Sequence, residues 1–397
     1  MAVTLVLLGY LIGNSFYPVD GGYAGIFIAV IIWTVMTLVS MAAGSSLILS
    51  MSQAKEVTPD VHRRLFNVVE EMKIASNLPA MPKVCIINSE AMNAFATGMD
   101  PSKSAVAVTA GLLSKMNRDE LQGVIAHEMS HIMNRDTKFI TYASVMLGTI
   151  VIISEIFLRG MFRGTAAKRY GSKSKGGGQG QLIILAAAIV FAILAPIMAR
   201  LLYYAISRKR EYLADASAAR ITRYPEGLAS ALEKISECTS ELQSANKVTA
   251  TLFIANPLKK KGMKLSDLTS THPPISERIR ILRGMMHGQG ANFRDYQESF
   301  SAVKNSASAI IPLSGLRDNS LIPFREPCPE ISQEVSPLDE KRKMGNIMMA
   351  VNDYTSLTCQ CGLKLKIPPG FGTNKPEIKC PKCGTVNKVS RSTQIVP

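Results

Sequence analysis

The chain has 397 residues, which is enough for two or three domains, and 47% of them are hydrophobic. This share and the positive mean hydropathy disfavour a purely soluble protein and indicate membrane segments. The net charge of +15 suits an anionic membrane or a nucleic acid, but the lysines and arginines form no stripe interleaved with aromatic residues. We therefore expect a lipid membrane as a partner and no nucleic acid.

Four apolar runs predict a membrane part of four helices. They cover residues 2–16, 23–50, 139–158 and 182–206, and the second run contains no charged residue. A signal peptide is the alternative for the first run, but this run lacks a basic start and a small-residue cleavage site. Residues 1–50 are therefore expected to form two retained transmembrane helices.

The stretch from residue 51 to residue 138 has the pattern of a globular domain. Thr58, followed by proline, predicts the start of a helix. Apolar runs at 84–87 and 105–109 predict two strands. Asn117 and Glu120 fit a capping box that opens a further helix.

The helix that this box opens carries His127-Glu128-Met129-Ser130-His131, which matches the HExxH pattern. Positions i and i+4 lie on one helix face, so both histidines can hold one metal ion while Glu128 reaches a water beside it. Zinc acidifies such a water, and a carboxylate can take its proton during attack on a peptide carbonyl. The pattern also arises by chance on amphipathic helices, so a third ligand is required.

Glu211 and Asp215 are the candidates for completing the metal site. A catalytic zinc usually has three protein ligands, and these carboxylates lie four residues apart on one predicted helix face. One can bind the metal while the other holds a ligand imidazole through its second ring N–H. The alternative is an exposed acidic face that is balanced by the adjacent bases, Arg208, Lys209 and Arg210.

Three segments, in this order, resemble the HtpX-type membrane zinc metallopeptidases, which are relatives of the CAAX prenyl proteases. They are HEMSHIMNRD, SRKREYLADASAA and THPPISERI, and the resemblance extends from residue 1 to about residue 285. It implies a mainly α fold with a small β-sheet. A four-helix membrane part would accompany a gluzincin-type catalytic domain at 51–300, which the membrane segments 139–158 and 182–206 interrupt.

The resemblance also implies roles for individual residues of this chain. The zinc ligands would be His127, His131 and Glu211. Glu128 would act as the general base, and Asp215 would support a ligand from behind.

Other residues are implied in handling the substrate. An extended substrate is expected to pair, with loose sequence selectivity, with the backbone of Asn93, Ala94, Phe95 and Ala96. His272 is expected to hydrogen-bond the developing oxyanion, and Arg278 to support that site. Without the resemblance, His272 would fit a structural turn at least as well.

The remaining polar residues near these motifs are expected to have structural roles. Asn134 and Asp136 match family positions and would tie the end of the motif helix to its neighbours. His62 and His287 have no matching partners, so we expect them at the surface.

Beyond residue 300 the composition shifts to serine, proline and charge, and 301–355 is expected to be a mostly flexible linker with at most one helix. The last part, 356–397, is predicted to be a zinc-ribbon-like module with one structural zinc, held by Cys359, Cys361, Cys380 and Cys383. Reactive or disulfide-forming thiols are the alternative. Clustered cysteines of this kind fit a reducing compartment, and the docking partner of the module is unknown.

Two indications of membrane orientation oppose each other. The basic loop 159–181 is expected in the cytoplasm, because positive loops stay on that side. One span separates this loop from the catalytic segment, which would then lie on the opposite side of the membrane. The resemblance implies a multi-pass protein of the bacterial inner membrane whose catalytic domain faces the cytoplasm, and Asp20 in the first loop agrees with it. We expect the second orientation.

Together these features predict a membrane-embedded zinc-dependent endopeptidase with one catalytic zinc. Misfolded or damaged membrane proteins are the substrates that the resemblance implies. The alternative is a catalytically inactive membrane scaffold that binds a partner through its zinc ribbon. The intact histidine pair and its glutamate argue against the scaffold, because a scaffold needs neither.

Overall fold

The protein is described by a computed structural model that covers most of the chain. The described residues are 2–17, 20–167, 179–243, 252–255, 272–305, 308–317, 322–329, 336–369, 371 and 377–388. The basic loop and the end of the C-terminal module therefore lie partly outside the described residues. The architecture is mainly helical with small sheets, as predicted.

Twelve helices occur in the described part of the chain. They are α1 (Ala2–Phe16), α2 (Gly21–Met51), α3 (Arg63–Ala75), α4 (Ala110–Lys115), α5 (Arg118–Met133), α6 (Asp136–Ala167), α7 (Gln179–Thr222), α8 (Pro225–Glu237), α9 (Ile275–Met285), α10 (Phe293–Lys304), α11 (Leu313–Leu316) and α12 (Pro337–Val351). The strands are β1 (Ala54–Glu56), β2 (Lys83–Ile87), β3 (Ala94–Thr97), β4 (Ala105–Thr109), β5 (Thr355–Thr358), β6 (Lys364–Ile367), β7 (Glu377–Lys379) and β8 (Val386–Lys388).

The apolar runs form α1, α2, α6 and α7. Within the described residues, two stretches are long and apolar enough to cross a membrane, Gly21–Met51 and Asp136–Arg159. Helix α1 has 15 residues, which corresponds to about 22 Å and is shorter than a hydrocarbon core of about 30 Å. Helix α7 runs unbroken for 44 residues, from the fourth apolar run to the segment expected to hold the third ligand. A membrane part of four spanning helices thus remains a proposal.

Helices α1 and α2 approach closely because glycines face each other between them. A Cβ atom added to Gly9 would lie 2.5 Å from the carbonyl oxygen of Gly25, and one on Gly13 would lie 2.0 Å from that of Gly21. Backbones that approach this far exclude larger residues, as is common between membrane helices. The outer face of α2 leaves Phe27 and Leu38 more than half exposed, which suits a lipid environment.

A four-stranded sheet has the strand order β1-β2-β4-β3. Strands β2 and β4 are parallel, whereas β1 and β3 pair antiparallel with their neighbours. The two strands predicted at 84–87 and 105–109 are therefore confirmed. Strand β3 lies at one edge of the sheet, so one side of its backbone is not paired with another strand.

His62 was expected at the surface, but it is 8% exposed and caps helix α3. Its Nδ1 accepts a hydrogen bond from the backbone N–H of Leu65 at 3.1 Å. Thr58 does not open a helix, because α3 begins only at Arg63. A cap must accept from a free N–H of the first turn, and His62 does this in place of the more usual hydroxyl or carboxylate.

The described parts of 301–355 are packed against the catalytic domain, although a mostly flexible linker with at most one helix was expected there. The Nη2 of Arg325 donates to Asp119 Oδ1 at 2.6 Å. Helix α12 buries Ile347 and Val351 in the main hydrophobic core. Because ionic and apolar contacts both tie this stretch down, it extends the domain instead of separating it from the C-terminal module.

Candidate metal centre

Helix α5 carries the HExxH motif and is buried over nearly its whole length. The predicted capping box fixes its start: the Asn117 side chain accepts from the backbone N–H of Glu120 at 2.8 Å, and the Glu120 side chain accepts from that of Asn117 at 2.9 Å. Gly123 lets α8 approach, because a Cβ there would lie 2.6 Å from the backbone nitrogen of Leu228. The motif is therefore held on a rigid, closely packed helix.

Three potential ligands converge between α5 and α7. The Nε2 atoms of His127 and His131 lie 3.2 Å apart. Glu211 places Oε2 3.6 Å from the first nitrogen and Oε1 3.4 Å from the second. Tetrahedral zinc with metal–nitrogen bonds of about 2.0–2.1 Å separates its ligand atoms by about 3.3 Å. The three residues could thus hold one such ion with little rearrangement.

The charge of the site also favours a cation. Burial lowers the pKa of His127 and His131, but the neighbouring carboxylates outweigh it and raise both, that of His131 to about 10. The Oε2 of Glu211 is buried and lacks a hydrogen-bond partner among the described residues. A buried acceptor in this position, between two imidazoles, fits a metal ion.

Two aspartates lie behind the histidines. Asp215 Oδ1 is 3.0 Å from Nδ1 of His127, and Asp136 Oδ2 is 3.2 Å from Nδ1 of His131. The contact of Asp136 with His131 has hydrogen-bond geometry, whereas that of Asp215 with Nδ1 of His127 is a close charge contact. A carboxylate that accepts an Nδ1–H leaves the Nε2 lone pair free for a metal. The proximity expected for Asp215 is present. Asp136 was expected only to tie the helix end, and its contact with the second ligand was missed.

Arg278 is fully buried and joins these groups. Its Nε and Nη2 donate to the two oxygens of Asp215 at 2.8 and 2.7 Å. Its Nη1 lies 3.6 Å from Oε2 of Glu211. Burial opposes ionisation of Asp215, but the charge and hydrogen bonds of Arg278 outweigh it and keep the pKa of this carboxyl below its usual value. The aspartate that faces His127 is therefore an anion.

Glu128 points to the edge of the sheet. It is 2% exposed, and the polar backbone of Ala96 in β3 lies near enough to its carboxylate to favour the ionised form. Burial raises the pKa of Glu128 above the ordinary range, although the nearby imidazoles oppose this shift. A carboxylate with a raised pKa is better suited to take up and return a proton near neutral pH.

His272 joins the site from the segment before α9. Its Nε2 lies 3.6 Å from Oε1 of Glu211, and the side chain is 5% exposed. Burial lowers the pKa of His272 to about 4, so its ring is neutral at pH 7 and retains one N–H. Motifs separated by more than 140 residues along the chain thus meet at a single centre.

Three residues of the segment predicted to pair with substrate, Ala94, Phe95 and Ala96, lie in the edge strand β3, and Asn93 precedes it. Phe95, however, points into the core, where its ring meets that of Phe253 edge to face at 5.0 Å. The side chain of Asn93 donates to the backbone oxygen of Ala255 at 2.8 Å. The outer edge of β3 is therefore already in contact with another part of the chain.

The four C-terminal cysteines form a second cluster, between the hairpins β5–β6 and β7–β8. The Sγ atoms of Cys359 and Cys383 are 3.5 Å apart, and those of Cys361 and Cys380 are 3.7 Å apart. A disulfide would need about 2.05 Å, whereas tetrahedral zinc with bonds of about 2.3 Å separates its sulfurs by about 3.8 Å. The geometry fits a four-thiolate metal site, and the C-x-C spacing does not prevent it.

A buried histidine pair, a carboxylate as the third potential ligand and an adjacent glutamate, all held on helices, form the arrangement of an HExxH metallopeptidase. The model of a protein family described as peptidase family M48 matches residues 58–286. The chain belongs to this family and is a metalloprotease. The C-terminal cysteine cluster lies outside the matched residues.

Several curated relatives carry the name protease HtpX homolog. The one from Dictyoglomus turgidum is 47% identical over 264 residues, covering 66% of this chain and 83% of the relative. The one from Dictyoglomus thermophilum is 44% identical over 285 residues, covering 72% of this chain and 89% of the relative. These similarities confirm the predicted resemblance. A crystal structure of S. mikatae Ste24p, 20% identical, covers 70% of this chain and 62% of that chain with a TM-score of 0.40, too low to define a common fold.

Proposed function

We propose that the protein is a zinc-dependent endopeptidase of the bacterial inner membrane that cleaves misfolded or damaged membrane proteins. The observation that carries this proposal is the convergence of His127, His131 and Glu211 within 4.8 Å of one another, with Glu128 beside them. Three ligands leave a fourth position of a tetrahedral ion open for water or substrate, which is the arrangement of catalytic zinc sites. A bound zinc ion supplies polarisation of the scissile carbonyl and acidification of the attacking water.

The side chains around this position have complementary tasks. Glu128 takes the proton of the attacking water and returns it to the leaving amine. His272 is neutral, so its N–H can donate to the oxygen on which negative charge develops. Arg278 holds Asp215, which in turn orients His127. No covalent intermediate is needed.

The substrate class follows from the edge of the sheet. Backbone pairing along β3 recognises an extended main chain and accepts many side chains. Folded proteins do not offer such a segment, whereas damaged or misfolded ones do. Anchoring by α2 and the first part of α6 would keep the protease near membrane-protein substrates, and α1 and α7 complete a proposed four-helix membrane part. We place the catalytic domain on the cytoplasmic side, in agreement with the basic cluster at 208–210.

The cysteine cluster is proposed to hold a second, structural zinc ion. Four thiolates fill its coordination sphere, so this site has no position for a substrate. The ribbon would serve as a docking element for a partner or substrate. The alternative of an inactive scaffold finds no support in the catalytic centre, where both the ligands and the base are intact.

The test is casein cleavage by the purified full-length protein, with and without a chelator. Glu128→Gln should lower turnover by about 100- to 10,000-fold while the zinc content stays unchanged, because it removes the base and leaves the ligands. Glu237→Gln, at an exposed position, removes an equal charge and should leave cleavage unchanged. Cleavage that persists in the Glu128 variant would overturn the proposal.

A further inference from the structure

A short segment of the chain, the strap (residues 252–255), lies along the outer edge of β3. The backbone N–H of Ile254 donates to the carbonyl oxygen of Ala94 at 2.9 Å. Next to it, Asn93 Oδ1 accepts a hydrogen bond from the N–H of Ala255 at 3.3 Å, and Asn93 Nδ2 donates to the carbonyl oxygen of Ala255 at 2.8 Å. The strap therefore uses the backbone-recognising groups of this edge.

The strap runs antiparallel to β3. Ile254 lies at Ala94, Ala255 lies at Asn93, and the ring of Phe253 meets that of Phe95 edge to face. Each step forward in the strap is thus a step backward in β3. One main-chain hydrogen bond joins the strap to β3, the Asn93 side chain makes the neighbouring contacts, and the strap itself turns and bends. An extended peptide that adds to this edge would compete for the same Ala94 carbonyl oxygen.

The strap also reaches the metal centre. The Nη1 of Arg278 donates to the carbonyl oxygen of Ile254 at 3.2 Å. The same guanidinium places Nη2 3.5 Å from Nε2 of His127. One buried arginine therefore contacts both the strap backbone and a potential metal ligand.

The strap is not a loosely placed surface loop. Phe253 is fully buried and Ile254 is 1% exposed. Both outward main-chain groups of Ala94 are accordingly in use: its N–H is held by Asn93 Oδ1 at 3.1 Å and its carbonyl oxygen by the N–H of Ile254. A substrate cannot pair with Ala94 while the strap remains in place.

We propose that the strap is an internal pseudosubstrate, which occupies the β3 edge in the resting protein and must leave before an extended peptide can bind. This inference rests on the proposed pairing of substrate with β3. The hydrogen bonds of the strap involve its main chain, so the main chain of an incoming peptide can take its place at the Ala94 carbonyl oxygen and the Asn93 side chain. Activity is then limited by the fraction of molecules in which the strap is open.

The test measures peptide binding in the zinc-loaded Glu128→Gln protein, where turnover is blocked. The probe is a fluorescein-labelled peptide with the sequence of residues 249–258, followed by fluorescence anisotropy. Phe253→Ala removes the ring that stacks on Phe95 and should raise the affinity at least about tenfold, because more molecules have an open edge. Unchanged or weaker binding by the folded variant would overturn the proposal.

Two further variants make the result specific. Ile254→Pro removes the N–H that Ile254 donates to Ala94, and it should likewise raise the affinity for the peptide. This variant provides the test if Phe253→Ala does not fold. Phe300→Ala truncates an equally buried ring that packs on Tyr212, away from β3, and should lower the melting temperature without raising the affinity. An equal rise in peptide affinity in this control would mean that any loss of core packing exposes the β3 edge. That result would contradict the proposed role of the strap.

Casein cleavage, measured with Glu128 intact, separates this inference from the proposed function. Faster cleavage by both strap variants supports both proposals. Tighter peptide binding without chelator-sensitive cleavage in any variant leaves the strap standing and removes the protease function. Chelator-sensitive cleavage that neither strap variant changes supports the protease function and removes the proposed role of the strap.

Discussion

The two metal-ligand clusters of this protein differ in how they are built. The histidine and glutamate ligands come from helices α5 and α7, 84 positions apart between His127 and Glu211, and are almost completely buried. The four cysteines lie between Cys359 and Cys383 on two short hairpins, and Cys383 is exposed. The first cluster needs the assembled fold, whereas the second can form from local chain.

This difference separates a site for chemistry from a site for stability. The buried cluster has three ligands, a base and two supporting aspartates, so it keeps a coordination position open and its ligands oriented. The cysteine cluster has four ligands and closes its coordination sphere. Folding should hold the first site ready before metal arrives, whereas metal should hold the second site together.

The largest expected effect tests the preorganisation of the buried site. Arg278→Met leaves the buried Asp215 without its charge partner and should lower the free energy of unfolding by about 3–5 kcal/mol. Combining it with Asp215→Asn should restore part of this loss, because no uncompensated charge then remains. Chemical denaturation of both variants measures the effect, and an additive loss in the double variant would contradict the account.

A smaller effect distinguishes the two supporting aspartates. Asp136→Asn and Asp215→Asn should each weaken zinc binding at the buried site by about 10- to 100-fold, since each loosens one ligand imidazole. Asp215→Asn should have the larger effect because it also disturbs Arg278. Competition with a chelator of known affinity provides the measurement. Unchanged affinity in both variants would show that the aspartates only pack.

The smallest effect is the pH dependence of stability that comes from His62, a histidine outside both metal-ligand clusters. This dependence could be mistaken for protonation of the metal ligands. Burial lowers the pKa of His62 to about 4 from an unfolded value of 6.5. The unfolded chain therefore takes up a proton below pH 6.5 while the folded chain does not, and stability falls from there to about pH 4. At pH 5 the loss is about 2 kcal/mol.

The variant His62→Asn keeps a residue that can cap α3 and removes this titration. Its free energy of unfolding should therefore fall less than that of the wild type between pH 7 and pH 5. Equal falls in both proteins would assign the pH dependence to other groups.

Much of the buried site could be predicted because its signals are local. The box formed by Asn117 and Glu120 identifies a helix start, and the four-residue spacing of His127 and His131 identifies one helix face. The third ligand, Glu211, could be assigned only from the whole set of motifs, because an acidic pair beside three basic residues also fits an exposed helix.

Other features depend on tertiary structure and left no local signal. Asp136 reaches His131 because the chain turns at Arg135, which adopts a left-handed conformation with φ of 59°. The strap contacts β3 across more than 150 residues of sequence. The packing of Arg325 against Asp119 likewise depends on where the chain returns, and its polar, proline-rich surroundings resemble those of a linker.

We propose that the buried cluster is catalytic and that the cysteine cluster is structural. Zinc content and casein cleavage, measured together on two double variants of the full-length protein, test it most directly. Both the variant Cys380→Ser with Cys383→Ser and the variant His127→Ala with His131→Ala should retain one zinc ion per chain instead of two. Only the cysteine variant should still cleave casein. Cleavage by the histidine variant, or its complete loss in a cysteine variant that keeps the buried zinc, would contradict the account.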